Sequence, residues 1–238
     1  MSLAENDIAA LWVTLRLAAV TTVALLVIGA PLAWWLARSR ARGKFLVEAA
    51  VSLPLVLPPT VLGFYLLLLL GAGGPLGPEY ALAFTFGGLV IGSCVYSLPF
   101  AVQPMRDAFA AIPPRTLEAA ATLGAAPRDV FFSVILPQAA GGMMTAMVLT
   151  FAHTLGEFGV VLMIGGNIPG STQVLSIAIY DHVEALEYGQ AHVLSALLLA
   201  LSFIMLAAIY ALRHRRRGSG GGMDDGGGGG DGGGGRLA

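Results

Sequence analysis

The stretch Glu118–Pro137, EAAATLGAAPRDVFFSVILP, carries three charged residues between long apolar runs. Pro113 and Pro114 precede it, and proline is favoured at a helix start because its missing N–H is not needed there. The stretch is too short and too charged to cross a membrane. We therefore expect an element that lies between membrane segments.

The same stretch predicts two short helices separated by a turn. Thr116 is the expected N-cap of a helix over residues 117–123, because its hydroxyl can accept from the first backbone N–H groups. Gly124 is expected to end this helix, since glycine adopts the left-handed conformation that a helix end needs. A second helix is predicted over 129–135, with Pro137 as its stop.

The composition is that of a membrane protein. Of 238 residues, 56% are hydrophobic and only 11% are charged, whereas soluble domains carry about 25% charged residues. The single cysteine excludes an intrachain disulfide and a cysteine-based metal site. We expect no metal and no nucleic-acid partner, and a lipid bilayer as the surroundings.

Five apolar runs are each long enough to cross a bilayer, which takes about 20 residues. The predicted spans are 8–37, 45–71, 84–104, 138–164 and 191–212. The sequence thus predicts an all-α membrane protein with a transmembrane domain over 1–217. A Gly-rich tail over 218–238 is expected to be cytoplasmic and disordered, because it cannot bury enough apolar surface to fold.

The distribution of basic residues predicts the orientation in the membrane. Of the 13 Lys and Arg, four lie between the first two spans, three between Arg106 and Arg128, and four directly after the last span. None lies in 72–83 or 165–190. Because cytoplasmic loops are enriched in Lys and Arg, the N-terminus is predicted outside and the C-terminus in the cytoplasm. The loop 113–137 then also faces the cytoplasm.

This cytoplasmic loop resembles the EAA loop of importer-type ABC permeases. The residues that carry the resemblance are Glu118, Ala119, Ala120, Gly124, Leu136 and Pro137. Val134 departs mildly from the isoleucine usual in the family. The resemblance implies the type I ABC importer permease architecture, in which residues 113–137 form a coupling helix that docks in a cleft of the ATPase subunit.

Three further stretches are similar to the molybdate permease branch of that family. They are Leu53–Leu67, Leu155–Gln173 and Ser176–Tyr180. The resemblance implies a homodimer, two ATPase subunits on the cytoplasmic side, and a periplasmic or extracellular molybdate-binding protein. Permeases for sulfate/thiosulfate or tungstate remain as alternatives. The chain has no Gly-x-x-x-x-Gly-Lys-Ser/Thr phosphate loop, so ATP and Mg²⁺ are expected on the partner ATPase, and no cofactor on this chain.

Four residues are candidates for the translocation path or its gate. Pro58 and Pro59 interrupt the second span, and such breaks are tolerated where protein or a water-filled cavity lines them; a simple packing kink is the alternative. His153 and Glu157 are four residues apart in the predicted fourth span, a spacing that allows them to pair. Because a carboxylate would repel an anion, we expect Glu157 to be mainly structural, with a substrate-facing role as the alternative.

The outer loop after the fourth span contains Asn167, Pro169 and Gly170, which are typical of turns. It is a candidate surface for the binding protein, or else a generic connector. An intramembrane enzyme is disfavoured because no catalytic motif accompanies His153 or Glu157. A passive channel remains a further alternative, and it would conduct without an ATPase.

Overall fold

The chain is all-helical over the residues that the structure describes. The computed structural model describes residues 5–75 and 78–218, with side chains left undescribed at 208–209 and 212–218. The helices are α1 Glu5–Arg38, α2 Lys44–Ser52, α3 Pro59–Leu70, α4 Phe86–Ala110, α5 Pro114–Thr122, α6 Pro127–Val130, α7 Leu136–Leu155, α8 Gly159–Gly165, α9 Leu175–Glu184 and α10 Tyr188–Gly218. Short 3-10 turns lie at Leu53–Leu55 and Pro78–Tyr80. The predicted tail falls almost wholly outside the described residues.

Among the described residues, four helices are long and apolar enough to cross a membrane. They are Glu5–Arg38, Phe86–Ala110, the continuous run Pro127–Leu155, and Tyr188–Ala207. A fifth crossing is available if Lys44–Leu55 and Pro59–Leu70 are taken together, although these two segments bend by 110° at the intervening break. The predicted all-α membrane fold with about five spans is confirmed, and the break falls at Pro58, where the proline content predicts one.

Helices α1, α4 and α7 form the main bundle. Leu36, Met105 and Ala139 are buried where the three helices meet. A Cβ added at Gly142 of α7 would lie 2.3 Å from the Cβ of Ala108 in α4. Only glycine therefore permits this approach of the two helices, as in other close helix contacts within membranes.

Helices α3 and α8 form a second packed unit beside the N-terminal half of α4. A Cβ at Gly63 would lie 2.8 Å from the Met163 side chain, and one at Gly92 would lie 2.6 Å from Ile164. The small residues of the predicted third span therefore allow α8 of the same chain to pack closely against α4.

The N-terminal ends of α1, α9 and α10 are joined by a buried contact. Ala10, Leu175 and Leu194 are fully buried there. The Thr14 hydroxyl accepts a hydrogen bond of 2.7 Å from the Leu175 N–H and donates one of 2.7 Å to the Ala10 carbonyl. A polar side chain inside α1 thereby satisfies the first backbone donor of α9.

The fourth apolar helix differs from the prediction at both ends. Pro137 does not stop a helix but lies in the first turn of α7, where its missing N–H is tolerated. A π turn over Phe131–Ile135 joins α6 to α7, with the Leu136 N–H bonded to the Phe131 carbonyl. At the other end α7 finishes at Leu155, so the predicted span 138–164 is two helices rather than one.

Candidate functional site: the EAA loop and a pocket at the broken helix

The loop that contains the EAA residues is capped by glycine, as the sequence predicts. Gly124 has a φ of +74°. The Ala125 N–H donates to the Ala120 carbonyl at 3.2 Å, and the Gly124 N–H donates to the Ala121 carbonyl at 3.0 Å. These two bonds form a Schellman motif, which needs a left-handed residue at that point.

The start of the loop differs from the prediction. Helix α5 begins at Pro114, and Pro113 is its N-cap in an extended conformation without a side-chain hydrogen bond. Thr116 is therefore inside the first turn and is not the N-cap. The proline ring fixes φ near the helical value two residues before Thr116, which allows the helix to start early.

The loop presents an unusually open surface. No residue of α5 or α6 is buried, and the Leu123 side chain is 87% exposed at the tip. Glu118 and Ala119 are exposed on this helix, whereas Leu117 on its other side packs against the core. The exposed face of α5 is therefore open to contact from outside the chain.

Arg38 forms hydrogen bonds next to the start of this loop, a role that the sequence did not indicate. Arg38 ends α1, and its Nη2 donates to the carbonyl oxygens of Phe109 at 3.0 Å and Ile112 at 2.8 Å. Its guanidinium also lies 5.2 Å from the centre of the Trp34 ring. In the sequence, Arg38 stands out only as one of the four cations between the first two predicted spans, which were used to predict the orientation in the membrane.

Three of the four candidate path residues line one pocket of about 520 Å³. Pro59, His153 and Glu157 contribute to its wall, together with Thr60 and Tyr96. Pro58 is the N-cap of α3 and so directly adjoins this wall. The break between α2 and α3 therefore borders a cavity, which is the setting that non-helical backbone needs at membrane depth.

The predicted pairing of His153 with Glu157 is wrong. The His153 Nδ1 instead lies 2.9 Å from the Ser97 hydroxyl of α4. Because α7 ends at Leu155, the two residues no longer share one helical face. Glu157 is only 3% exposed, and neither of its carboxylate oxygens has a partner of standard hydrogen-bond geometry among the described residues.

The hydroxyl groups around His153 determine which ring nitrogen carries a proton. The Thr154 hydroxyl donates its single hydrogen to the Thr150 carbonyl at 2.9 Å. The Ser97 hydroxyl, 3.1 Å from the Thr154 oxygen, must then be the donor in that contact. The Ser97 hydrogen is then used in the bond to Thr154, so the Ser97 oxygen accepts in its bond to His153. We therefore assign the ring hydrogen of His153 to Nδ1.

The candidate outer loop is held together by its own side chains. The Asn167 Nδ2 donates to both carboxylate oxygens of Asp181, at 3.1 and 2.9 Å, and Gln173 donates to the same carboxylate. Asn167 and Gly170 both have a positive φ, of 56° and 72°. Pro169 lies between them, so the three predicted turn residues form one fixed bend.

His182 forms a three-part contact outside the membrane-spanning segments. Its Nε2 lies 3.0 Å from Asp7 of α1, and its Nδ1 lies 2.8 Å from Glu187 before α10. The hydrogen bond to Asp7 is the main cause that raises the pKa of His182 above its ordinary 6.5, with Glu187 adding to it. No signal in the sequence pointed to this contact, because Asp7 lies 175 positions from His182 in the chain.

Comparison with known proteins defines the class. Residues 29–218 match the family described as binding-protein-dependent transport system inner membrane component, and the chain belongs to this family of multi-pass membrane proteins. It is 56% identical over 219 residues to the molybdenum transport system permease protein ModB of Azotobacter vinelandii, covering 90% of this chain and 97% of that one. It is 33% identical over 213 residues to the sulfate transport system permease protein CysT of Escherichia coli, covering 87% and 77%.

A solved structure supports the fold. The inward-facing MetNI methionine ABC transporter superposes with a TM-score of 0.66 at 22% identity, over 86% of this chain and 93% of that one. At this identity the likeness concerns the fold alone. The predicted type I ABC importer permease architecture is thereby confirmed.

Proposed function

We propose that this chain is the membrane-spanning subunit of an ATP-driven importer that carries molybdate across the cytoplasmic membrane by alternating access. The observation that carries this proposal is the match, at 56% identity over nearly the whole of both chains, to a molybdenum permease. The sulfate permease CysT is more distant, at 33%. Transport of sulfate/thiosulfate or tungstate is the alternative that the test below addresses.

The exposed EAA loop supports a mechanical link to an ATPase. Helix α5 has no buried residue and ends in a Schellman turn, and Arg38 of α1 bonds to the Ile112 carbonyl two residues before α5 begins. In this proposal Glu118–Gly124 and Leu136–Pro137 dock on a separate ATPase subunit, which binds ATP and Mg²⁺. Closure of two ATPase subunits would move the docked loops, and the packed helices would follow as rigid bodies.

The remaining partners follow from the same proposal. Two copies of this chain would form the pathway between them, with an ATPase subunit under each copy. An oxyanion-binding protein would deliver molybdate on the periplasmic or extracellular side, where the loop with Asn167, Pro169 and Gly170 faces outward. The N-terminus lies outside and the C-terminus in the cytoplasm, in agreement with the distribution of Lys and Arg.

The function is tested by reconstituting the chain with its ATPase and binding protein in liposomes. The expected result is ATP-dependent uptake of labelled molybdate that excess unlabelled molybdate abolishes and sulfate does not. Uptake that continues without ATP would indicate a channel. Preferential uptake of sulfate or of tungstate would assign the chain to the corresponding alternative branch.

The orientation is tested in intact cells with an impermeant thiol reagent. Cys94 is the single native cysteine, so Cys94→Ala gives a background for Ala125→Cys in the loop and, as a matched control, Ser171→Cys in the outer loop. We expect labelling of the second and not of the first. The reverse pattern would overturn both the orientation and the coupling role of the loop.

A further inference from the structure

Helix α1 is longer than a membrane span, and two arginines mark the part of it that matches the bilayer. The helix runs from Glu5 to Arg38, and no charged residue lies between Arg16 and Arg38. At 1.5 Å per residue these two arginines lie about 33 Å apart along the helix. The hydrocarbon core of a bilayer is about 30 Å thick. Arg16 therefore lies at one edge of this core, and Arg38, next to the coupling loop, lies at the other.

The Arg16 guanidinium is held by an aromatic ring. Its Cζ lies 4.4 Å from the centroid of the ring of Phe86, the first residue of α4. In the described part of the chain no carboxylate forms an ion pair with Arg16. The side chain is exposed, so its N–H donors are open to a ligand from outside the chain.

The exposed side of α1 around Arg16 is apolar. Trp12, one helical turn nearer the N-terminus, is 68% exposed. In the other direction Val20, Val23 and Val27 are all exposed. Residues three or four apart lie on the same face of a helix. Arg16 is thus a single cation between an exposed indole and a stripe of exposed valines.

This arrangement is complementary to an amphiphile that has an anionic head and apolar chains. A guanidinium binds phosphate oxygens through parallel N–H···O bonds. The indole of a tryptophan is suited to the headgroup layer, because it joins an apolar ring to one N–H donor. The valine stripe begins one turn from Arg16 on the side of the hydrocarbon core, where acyl chains start. A small soluble oxyanion would pair with the cation but leave the stripe uncovered.

A second copy of this chain fits the same face less well. Most homodimers are two-fold symmetric, so that one surface patch meets itself. The segment from Trp12 to Val27 contains Arg16 and no carboxylate. Two copies that met here would bring two unpaired guanidinium groups into an apolar contact, which is unfavourable. A phospholipid supplies the missing negative charge together with the apolar cover.

We infer that Arg16, Trp12 and Phe86 form a binding site for the headgroup phosphate of a phospholipid, in the leaflet around the N-terminal part of α1. Arg16 binds the phosphate, Phe86 holds the guanidinium in place, and the valine stripe contacts an acyl chain. One arginine at a membrane surface favours an anionic lipid by about fivefold. The site should therefore prefer phosphatidylglycerol to phosphatidylcholine by about that factor. This inference does not depend on the proposed function.

The fluorescence of Trp12 measures the lipid at this site directly. In a Trp34→Phe/Trp35→Phe background Trp12 is the single tryptophan of the chain. The full-length chain is reconstituted in phosphatidylcholine vesicles that contain the same mole fraction of either brominated phosphatidylglycerol or brominated phosphatidylcholine. Because bromine quenches a nearby indole, the two quenching curves give the relative binding constant of the two lipids. We expect a value of about five in favour of phosphatidylglycerol, and a value of one would overturn the inference.

Three variants in the same background test the role of the cation. Arg16→Gln should lower the relative binding constant to about one, whereas Arg16→Lys keeps the charge and should retain most of the preference. Arg40→Gln is the matched control, because it removes an exposed cation near the other end of α1, and it should keep the full preference. An Arg16→Gln variant with an unchanged preference, or an equal loss in Arg40→Gln, would overturn the inference.

The same measurement identifies other occupants. If sodium molybdate lowers the preference more than sodium chloride of equal ionic strength, a soluble oxyanion occupies Arg16 and the inference is wrong. If neither brominated lipid quenches Trp12, protein rather than lipid covers this face and the inference is wrong as well. Equal effects of the two salts, together with quenching that Arg16→Gln weakens for phosphatidylglycerol alone, would support the lipid site.

Discussion

The Nη2 of Arg38 lies 2.8 Å from the carbonyl oxygen of Ile112, the residue that directly precedes the prolines of the coupling loop. A second bond from the same nitrogen reaches the Phe109 carbonyl at the end of α4. A cation bonded to the last carbonyls of a helix is favoured by both hydrogen bonding and the helix dipole. This contact fixes the end of α1 against the end of α4 and the residue before the loop.

We predict that Arg38→Ala destabilises the chain and weakens coupling. Two carbonyl groups lose a charged donor, at a cost of about 1–3 kcal/mol, or roughly 2–4 °C in Tm per kcal/mol for a chain of this size. Molybdate uptake per ATP hydrolysed should fall as well, since the loop loses its connection to α1. Thermal unfolding in detergent and paired uptake and ATPase assays measure the two effects.

The control is Arg40→Ala, which removes an exposed cation from the same basic cluster. Both the Tm and the coupling ratio should stay at wild-type values in this variant. A similar loss in the two variants would mean that net charge, rather than the Arg38 hydrogen bonds, is responsible.

Gly142→Ala is predicted to separate α4 from α7. The new methyl group would overlap with Ala108 at 2.3 Å and with the Pro104 carbonyl at 2.8 Å, and overpacking of this kind costs about 1–3 kcal/mol. Gly141→Ala, one residue earlier, meets nothing within 4 Å and should be neutral or gain up to about 1 kcal/mol from helix propensity. Thermal unfolding of the two variants measures the difference in stability. Equal Tm values would contradict the close packing of α4 against α7.

Gly124→Ala is predicted to strain the coupling loop without affecting the membrane bundle. An alanine at a φ of +74° costs about 1–2 kcal/mol, and the simplest relief is loss of the Schellman turn. We expect ATPase activity of the assembled transporter to respond less to the loaded binding protein, with a Tm near that of wild type. Gly43→Ala, at a φ of −86° with no atom within 4 Å, should leave both measurements unchanged.

The contact of His182 with Asp7 and Glu187 predicts a pH-dependent stability. Because the folded pKa is raised, the stabilisation is fully present below the ordinary value of 6.5 and is lost as pH rises through the raised pKa. At pH 6 His182→Gln should lower stability by about 1 kcal/mol. The gap in Tm between wild type and variant should close as pH rises above 6.5.

The matched control for this prediction is His192→Gln, which changes an exposed histidine near the start of α10. Its Tm should follow wild type at every pH. A gap for His182→Gln that stays constant from pH 5.5 to about 9 would show that the imidazole acts by packing rather than by charge.

The sequence predicted those features that depend on local chemistry. The apolar runs predicted the helical membrane fold, Gly124 predicted the turn of the loop, and Pro58 and Pro59 predicted the break in the second apolar segment. Each of these three features follows from one type of residue within a short stretch of the sequence. The placement of Pro59, His153 and Glu157 around one pocket was consistent with their choice as candidates, although their role in transport stays a prediction.

The features that the sequence did not predict depend on contacts between distant segments. The pairing of His153 with Glu157 assumed a helix that continued past Leu155, whereas the chain turns at Gly156 and Ser97 of α4 supplies the partner. The contacts of Arg38 with Phe109 and Ile112 join residues more than 70 positions apart. Periodicity carries no information about such pairs.

The π turn at Phe131–Ile135 determines how the EAA loop is placed around the axis of α7. Such a turn holds one residue more than an ordinary helical turn, and each residue of a helix accounts for about 100° of rotation about its axis. Because the wider turn takes up its extra residue within a single turn, the helices on its two sides keep their register about the common axis. Removing one residue there would leave the EAA loop on the same side of the bundle, whereas removing one residue elsewhere between the loop and α7 would rotate the loop by about 100°.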